Sequence, residues 1–415
     1  MLPSKDQADI LVAKYFEVMD PVYPLIHRRT FYTSYERFWA SPQDDKSKVD
    51  ADMLALHYTI YALGTQFMSF SSYAEIKSSA EFYASAANQS LRVYSLLNRA
   101  SLNSLSAMLL LTYFLMNDNH ASDAYAFAGI LLRQAYAMRL HRDPDVVVPE
   151  ASQVEKQARR KLWQAVFFQD TFLTVLLKLP PSATHSDVQP DSLVDEEKLK
   201  ADGYDIDITT FSRVENLMSI SVIAPPPDNF PKQPQLPHFS VDPAVDKQDV
   251  EYIRSMWKLG NLVQENLSSP MSLSLPLVSS PRQKTSLISS FRALYRTFPP
   301  FLTILDSQTL QHQVQQNPRA VRQNLFLTSN YYHCLMILQA SENEEVGIEC
   351  NVRGTLEAAH EAICAFFKLH KFFEHEAGVW WVFQHRAFEE AVSRPIKLPA
   401  YQYPYRKRKC IYLTD

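Results

Sequence analysis

Glycine is nearly absent, with 7 in 415 residues. Phosphate-cradling loops, nucleophile elbows and dinucleotide fingerprints use glycine to bring backbone amides close to a ligand or to accept positive φ. None of Gly64, Gly129, Gly203, Gly260, Gly347, Gly354 and Gly378 has a second glycine at such a motif's spacing, which sets nucleotide-dependent chemistry aside. Cysteine is scarcer still. Cys334, Cys350, Cys364 and Cys410 all fall in the last quarter of the chain, too few and too irregular for a disulfide scaffold, so a reducing compartment is expected. An excess of either charge is also missing: 41 Lys and Arg face 45 Asp and Glu, a net charge of -4. No global field holds a polyanion, and direct nucleic-acid contact would need a local patch. Pro3, Lys5, Asp6 and Asp9 interrupt the first ten residues, so no secretory h-region is expected there. The longest apolar run, 107–116, contains Thr112 and stops well short of the roughly 20 residues that cross a bilayer.

What is present is apolar mass. A chain with 46% hydrophobic and 12% aromatic residues can bury a large core, as one big domain or two closely packed ones. Apolar residues recur at three- and four-residue steps, and strand-like alternation is rare, so the expected class is all-α. Leu11, Val12, Tyr15, Phe16 and Met19 form one helical face, expected to stop at Pro21 and Pro24. A second helix is expected from Thr30 as N-cap, with Phe31, Tyr35, Phe38 and Trp39 on one side. Further helices are expected over 53–67, 80–97, 102–116 and 121–140, the last ended by Asp143 and Pro144. Ser152 and Glu155 have capping-box spacing and open a helix to about 177. Seven of the 25 prolines lie between Pro225 and Pro243, which reads as a linker. The Ser- and Pro-rich stretch 268–286 reads as a second loop. Helices are expected over 250–267, 288–298, 320–339, 355–373 and 380–392.

Several short signatures follow one another in a telling order. Tyr15-Phe16 precedes Tyr23-Pro24-Leu25-Ile26-His27-Arg28 and Phe31. The leucine-rich run 107–115 comes next, then Leu140-His141-Arg142-Asp143-Pro144. Ala158-Arg159-Arg160-Lys161-Leu162-Trp163 follows, with Asp170 and Pro180-Pro181 beyond it. This series resembles the fungal-specific transcription factor domain, the middle homology region of zinc-binuclear-cluster regulators. The resemblance covers about the first 200 residues. Members of that family commonly place Gly where this chain has Arg139, Asp-Arg where it has Asp170-Thr171, and Gly-Arg where it has Lys178-Leu179.

The resemblance implies a multi-helix array of that domain type and a transcriptional regulator in the nucleus, without catalysis, cofactor or metal. It implies contact with other transcription regulators or self-association, a small-molecule effector as a further partner, and no membrane. The family's DNA-reading module needs six clustered cysteines. No cysteine precedes Cys334, so DNA is expected to be reached indirectly or through an N-terminal module missing from this sequence. The expected organisation is a regulatory helical domain over 1–220, Pro/Ser-rich linkers with one helix over 221–290, C-terminal helices packing on the same core over 291–394, and a basic tail over 395–415. A scaffold subunit of a nuclear complex, such as a kinetochore component, is the alternative. An unrecognised helical enzyme is a third reading, with no nucleophile, base and orienting acid that spacing can group.

The motif residues Tyr23, Pro24, His27, His141, Arg142, Asp143, Arg159, Arg160, Trp163, Asp170, Pro180 and Pro181 are expected to be structural, with Arg142, Arg159, Arg160 and Lys161 pairing with Asp143 or Asp145. His360 and Cys364 share a helix face at metal-ligand spacing but lack a third ligand, and His333 and Cys334 point apart. Packing is the expected role of both pairs. Arg406-Lys407-Arg408-Lys409 is the densest basic run, readable as a nuclear import signal or as a solvated tail. Trp380, Trp381, Phe383, Phe388, Phe366, Phe367, Phe372 and Phe373 are expected mostly in the core, with an effector-binding cavity as the alternative.

Overall fold

A computed structural model describes residues 2–42, 46, 49–69, 72–95, 97–184, 186–203, 243–273 and 275–392. The proline-rich stretch up to 242 and the basic run 406–409 lie outside the described residues. Among the described residues the structure is all-α, with one isolated antiparallel bridge between Asn343 and Ile348.

The chain opens with α1 (Lys5–Val22), capped by Ser4 and Gln7, each satisfying a free amide of the first turn. Pro21 does not stop this helix. It sits in the last turn, where its missing N–H and its ring disturb a single backbone bond, and the Tyr23 amide still donates to the Met19 carbonyl at 2.9 Å. The next helix, α2 (Arg28–Ala40), is capped by His27 rather than Thr30, with the imidazole accepting from the Thr30 amide. Helix α3 (Ala51–Gln66) is apolar on nearly all sides and accordingly buried. Its Gly64 allows the backbones of α1 and α3 to touch, since a Cβ there would stand 2.2 Å from the Leu11 carbonyl oxygen.

Helix α4 (Tyr73–Val93) starts seven residues earlier than apolar periodicity suggests. A Ser72–Glu75 capping box opens it, and its first two turns face solvent and so carry no apolar stripe. Helices α5 (Leu102–Asn117) and α6 (Ala121–Ala137), the single turn α7 (Pro144–Val147) and the long α8 (Gln153–Leu177) follow. Ser152 accepts from the Glu155 amide, but the Glu155 carboxylate turns to Arg159 at 3.2 Å, so only half of the expected capping box forms.

After α9 (Glu196–Ala201) the second half comprises α10 (Pro243–Val263), continued by one π turn over 264–268, then α11 (Ser269–Ser272) and α12 (Pro281–Tyr295). The start of α12 corrects the reading of 268–286 as a loop. Ser280 caps it with Pro281 in the first turn, and Thr285, Ser289 and Ser290 return their hydroxyls to carbonyls one turn back. Serine there helps as a cap, and its interior hydroxyls are accommodated on the helix's own carbonyls. Helices α13 (Ser307–Gln316), α14 (Pro318–Ala340), α15 (Val352–Phe372), α16 (Glu374–Val379) and α17 (Trp381–Val392) complete the array.

Almost every residue of α14 is buried, which makes it the central post of the fold. At its N-terminus Arg319 grips both Asp249 oxygens of α10 at 2.7 Å and reaches Asp20 of α1 at 2.8 Å. Arg28 of α2 holds the same Asp20 at 2.6 Å. Further along, Arg322 forks onto Glu376 and lies 4.0 Å from the Phe373 ring centroid. One hydrophobic core runs from Ala8 to Phe383, so the C-terminal helices and the N-terminal ones share an interior.

His57 is an anomaly inside that interior. It is 1% exposed, ringed by Phe31, Tyr35 and Phe38 at 5.4 to 5.6 Å, and neither ring nitrogen has a hydrogen-bond partner among the described residues. Burial lowers its pKa to about 4. The folded state thus binds fewer protons than the unfolded chain between the ordinary value of 6.5 and about 4. Stability is full above that window and falls as pH drops through it, by roughly 3 kcal/mol in all. His57→Phe is expected to remove that segment of the pH dependence in chemical denaturation between pH 6.5 and 4. An unchanged slope would contradict the assignment.

Candidate functional site

The residues that carry the resemblance are spread over several elements, and each ties one segment to the next. Tyr23 stacks on Tyr113 of α5 at 3.7 Å and meets Phe326 and Trp380 edge-on, joining the turn after α1 to the C-terminal half. His27 contacts Thr30 through Nδ1 at 2.7 Å and Glu196 of α9 through Nε2 at 2.8 Å. The His27 hydrogen bond, ahead of a partly opposing burial effect, holds the Glu196 carboxyl below its usual range.

Between α6 and α8 the chain makes a charged clasp. Arg160, buried, reaches both Asp143 and Asp145, and Lys156 reaches Asp145 at 3.0 Å. Burial raises the Asp145 carboxyl, yet the hydrogen bonds from Lys156 and Arg160 outweigh it and the net shift is downward. Two of the other basic residues pair differently from expectation. Arg142 turns away to Asp187 at 2.6 Å, because Asp187 also accepts from the Asp143 amide and so lies beside it. Arg159 stays on its own helix face with Glu155 and the Met138 carbonyl. Lys161 lies instead at the rim of a central cavity.

The far end of α8 is held by Asp170. Its buried carboxylate accepts from the Ser182 and Ala183 amides at 2.9 and 2.8 Å, pinning the strand of chain that follows Pro180-Pro181. Burial raises its pKa, against a lowering from those two amides. The Pro180 carbonyl accepts from Tyr125, while the Trp163 indole donates to Ser186 at 2.8 Å and packs against Tyr136 and His141.

Two of the three departures from the family pattern, Arg139 and Lys178, fall in helix-ending turns, while Thr171 is buried within α8 with its hydroxyl on the Phe167 carbonyl. Arg139 and Lys178 both adopt left-handed φ, at 56° and 55°. Each precedes an amide that bonds five residues back, Leu140 to Ala135 and Leu179 to Thr174, which is the helix-ending Schellman arrangement. These are positions where a glycine carries no steric penalty.

Beside Tyr23 lies a central cavity of about 40 Å³, lined by Pro24, Tyr113, Lys161, Gln164, Tyr252 and Trp257 among others. Gln164 is 2% exposed, and neither its Oε1 nor its Nε2 has a partner among the described residues. This site was not legible from spacing, because its walls come from α1, α5, α8 and α10. The C-terminal aromatics divide. Trp380 and Phe383 are core, Phe366, Phe372, Phe373 and Trp381 are partly buried, and Phe367 and Phe388 are exposed.

The His and Cys pairs stay apart from any cluster. Cys364 Sγ lies 3.6 Å from His360 Nε2 on an open helix face. Cys334 is fully buried, its thiol pushed up to about 12 by burial, while the neighbouring His333 contacts Glu390 at 3.0 Å. Among the described residues no group of three or more His, Cys, Asp or Glu side chains is placed to hold a metal ion. No described helix is long and apolar enough to cross a membrane.

The family described as the fungal-specific transcription factor domain matches residues 12–242, more than half of the chain. The chain belongs to that family. Transcription factor opdR of Penicillium oxalicum is 29% identical over 201 residues, covering 48% of this chain and 25% of that protein. The Zn(2)-C6 fungal-type transcription factor mpsB of Macrophomina phaseolina is 27% identical over 206 residues, 47% of this chain and 27% of that one. A putative transcriptional regulatory protein of Saccharomyces cerevisiae is 22% identical over 210 residues, 49% of this chain and 27% of that one. The chain thus aligns with about a quarter of the length of these relatives. No solved structure matches it.

In this member of the fungal-specific transcription factor domain family, Arg139 is exposed and pays for left-handed backbone without any side-chain partner among the described residues. Arg139→Gly is expected to raise stability by about 0.5 to 1 kcal/mol, the relief of left-handed strain less the entropy glycine adds to the unfolded chain. Calorimetric unfolding tests this, and a Tm that falls in the glycine variant would contradict the strain assignment.

Proposed function

We propose that this chain is the regulatory part of a transcriptional regulator, acting in the nucleus through contacts with other regulators or with a second copy of itself, and not as an enzyme. The observation that carries the reading is the family match over 12–242, together with curated relatives that are named transcription factors or regulatory proteins. The placement of the motif residues supports it. Arg160, Asp143, Asp170 and His27 are consumed in joining helices, which is the work of a stable platform rather than of a site where bonds are broken.

DNA recognition belongs to a separate module in this reading. A net charge of -4 supplies no field for the phosphate backbone. The basic run 406–409 serves as the import signal, and the described helices present the surfaces for partners. The scaffold alternative has no particular contact or relative in its favour.

Tethering tests the proposal. Fused to a heterologous DNA-binding domain upstream of a reporter, the whole chain is expected to change transcription several-fold in either direction relative to that domain alone. An expressed, nuclear fusion that leaves the reporter unchanged would contradict a regulatory role.

A further inference from the structure

Residues of α12, α14 and α15 line a cleft of about 460 Å³. That volume falls within the roughly 300 to 1,000 Å³ of small-molecule sites, and it exceeds the central cavity about tenfold. Three tyrosines form an aromatic floor: Tyr295 lies 4.7 Å from Tyr331 and 5.8 Å from Tyr332, and Tyr331 and Tyr332 are 5.0 Å apart, ring centroid to ring centroid. The Tyr331 hydroxyl is anchored by donation to the Phe291 carbonyl at 3.1 Å.

The walls carry opposite charges that do not meet. Arg292, in the last turn of α12, and Arg296, the cap residue that follows it, are both exposed, and neither has a carboxylate partner among the described residues. The two like charges repel one another while the C-terminal end of the helix dipole favours each of them, and a bound anion relieves the mutual repulsion. On the α15 wall Glu357 is occupied by Arg353 at 2.7 Å, but Glu361 has no cationic partner among the described residues. The floor senses both ends. Burial raises all three tyrosine hydroxyls; Arg292 and Arg296 pull Tyr331 back down, whereas Glu361 pushes Tyr295 and Tyr332 further up.

We propose that this cleft binds a free amino acid with a large apolar or aromatic side chain. Its carboxylate is received by Arg292 and Arg296, whose guanidinium forks match that group, its ammonium faces Glu361, and its side chain lies on the tyrosine floor. A zwitterion fits because one molecule carries partners for charges of both signs, Arg292 and Arg296 on one wall and Glu361 on the other, which line the same cleft without forming ion pairs with each other. The inference goes beyond the regulatory reading and is tested independently of it, since binding is measured on the purified chain without DNA or partners.

Isothermal titration of the whole chain with L-phenylalanine, L-tyrosine, L-tryptophan and L-leucine is the direct experiment. At least one is expected to bind. For L-phenylalanine the matched controls are 3-phenylpropionate, which lacks the ammonium, and phenethylamine, which lacks the carboxylate; L-leucine has 4-methylpentanoate and isopentylamine. Each control is expected to bind at least about tenfold more weakly than its parent, the scale of a charge-assisted hydrogen bond. Arg296→Gln and Glu361→Gln, checked for folding by circular dichroism, are each expected to weaken the amino acid at least tenfold. Arg292→Gln serves if Arg296→Gln does not fold. No binding by any of the four amino acids, or an acid or amine control that binds as well as its parent, overturns the proposal; the latter result would make this a simple anion or cation site.

Discussion

Arg319 is buried against two carboxylates, and it is the residue on which the arrangement of this fold turns. Its side chain is 10% exposed, Asp249 equally so and Asp20 only 1%. Taking such groups out of water costs several kcal/mol each, which their mutual attraction offsets only when the geometry is good and the remaining hydrogen-bonding capacity is used. Here two cations, Arg319 and Arg28, meet two carboxylates, Asp20 and Asp249, and Gln323 adds a donor to Asp249 at 2.8 Å. The set is neutral as a whole. Asp20 Oδ1 and Arg319 Nη1 keep no partner among the described residues, so the set is neutral without being fully hydrogen-bonded; its four ion-paired side chains meet only when α1, α2, α10 and α14 stand in one relative register.

That register has a consequence for the family domain. The match ends at residue 242, yet Tyr23, stacked on Tyr113 within the matched region, meets Phe326 and Trp380 from well beyond it. The Tyr252 hydroxyl donates to the Val22 carbonyl at 2.9 Å across the same boundary. The matched half is therefore not a finished hydrophobic body, and α14 completes it. The same helix bears Tyr331 and Tyr332, the floor of the charged cleft.

Much of this architecture was legible in the sequence, and the exceptions have physical reasons. Helices with a full apolar stripe, such as α5, α6 and α8, were placed within a few residues, because burying that stripe is what the pattern encodes. The first turns of α4 are capped and face solvent, and the inner face of the first turn of α12 is Lys284, a charged residue buried by donating to three carbonyls, so apolar periodicity carries no trace of either start. The second helix was mis-capped because His27, an unusual cap, does the work expected of Thr30. Arg160 with Asp143 and Asp145 was readable from proximity in sequence, whereas Asp20 with Arg319 spans nearly 300 residues and no local rule reaches it. The cavity beside Gln164 and the α12–α15 cleft were hidden for the same reason: each is built by elements far apart in the chain.

The central claim is that this ionic register joins the two halves into one cooperative body. Equilibrium denaturation of the whole chain and of Arg319→Met, followed by tryptophan fluorescence and by far-ultraviolet circular dichroism, tests it most directly, since Trp39 and Trp163 lie in the first half and Trp257, Trp380 and Trp381 in the second. The account predicts coincident transitions by both probes and a loss of about 3 to 5 kcal/mol in the variant, the scale of a buried ion pair broken on one side. Two separable transitions, of which Arg319→Met shifts only the one from the second half, would contradict it.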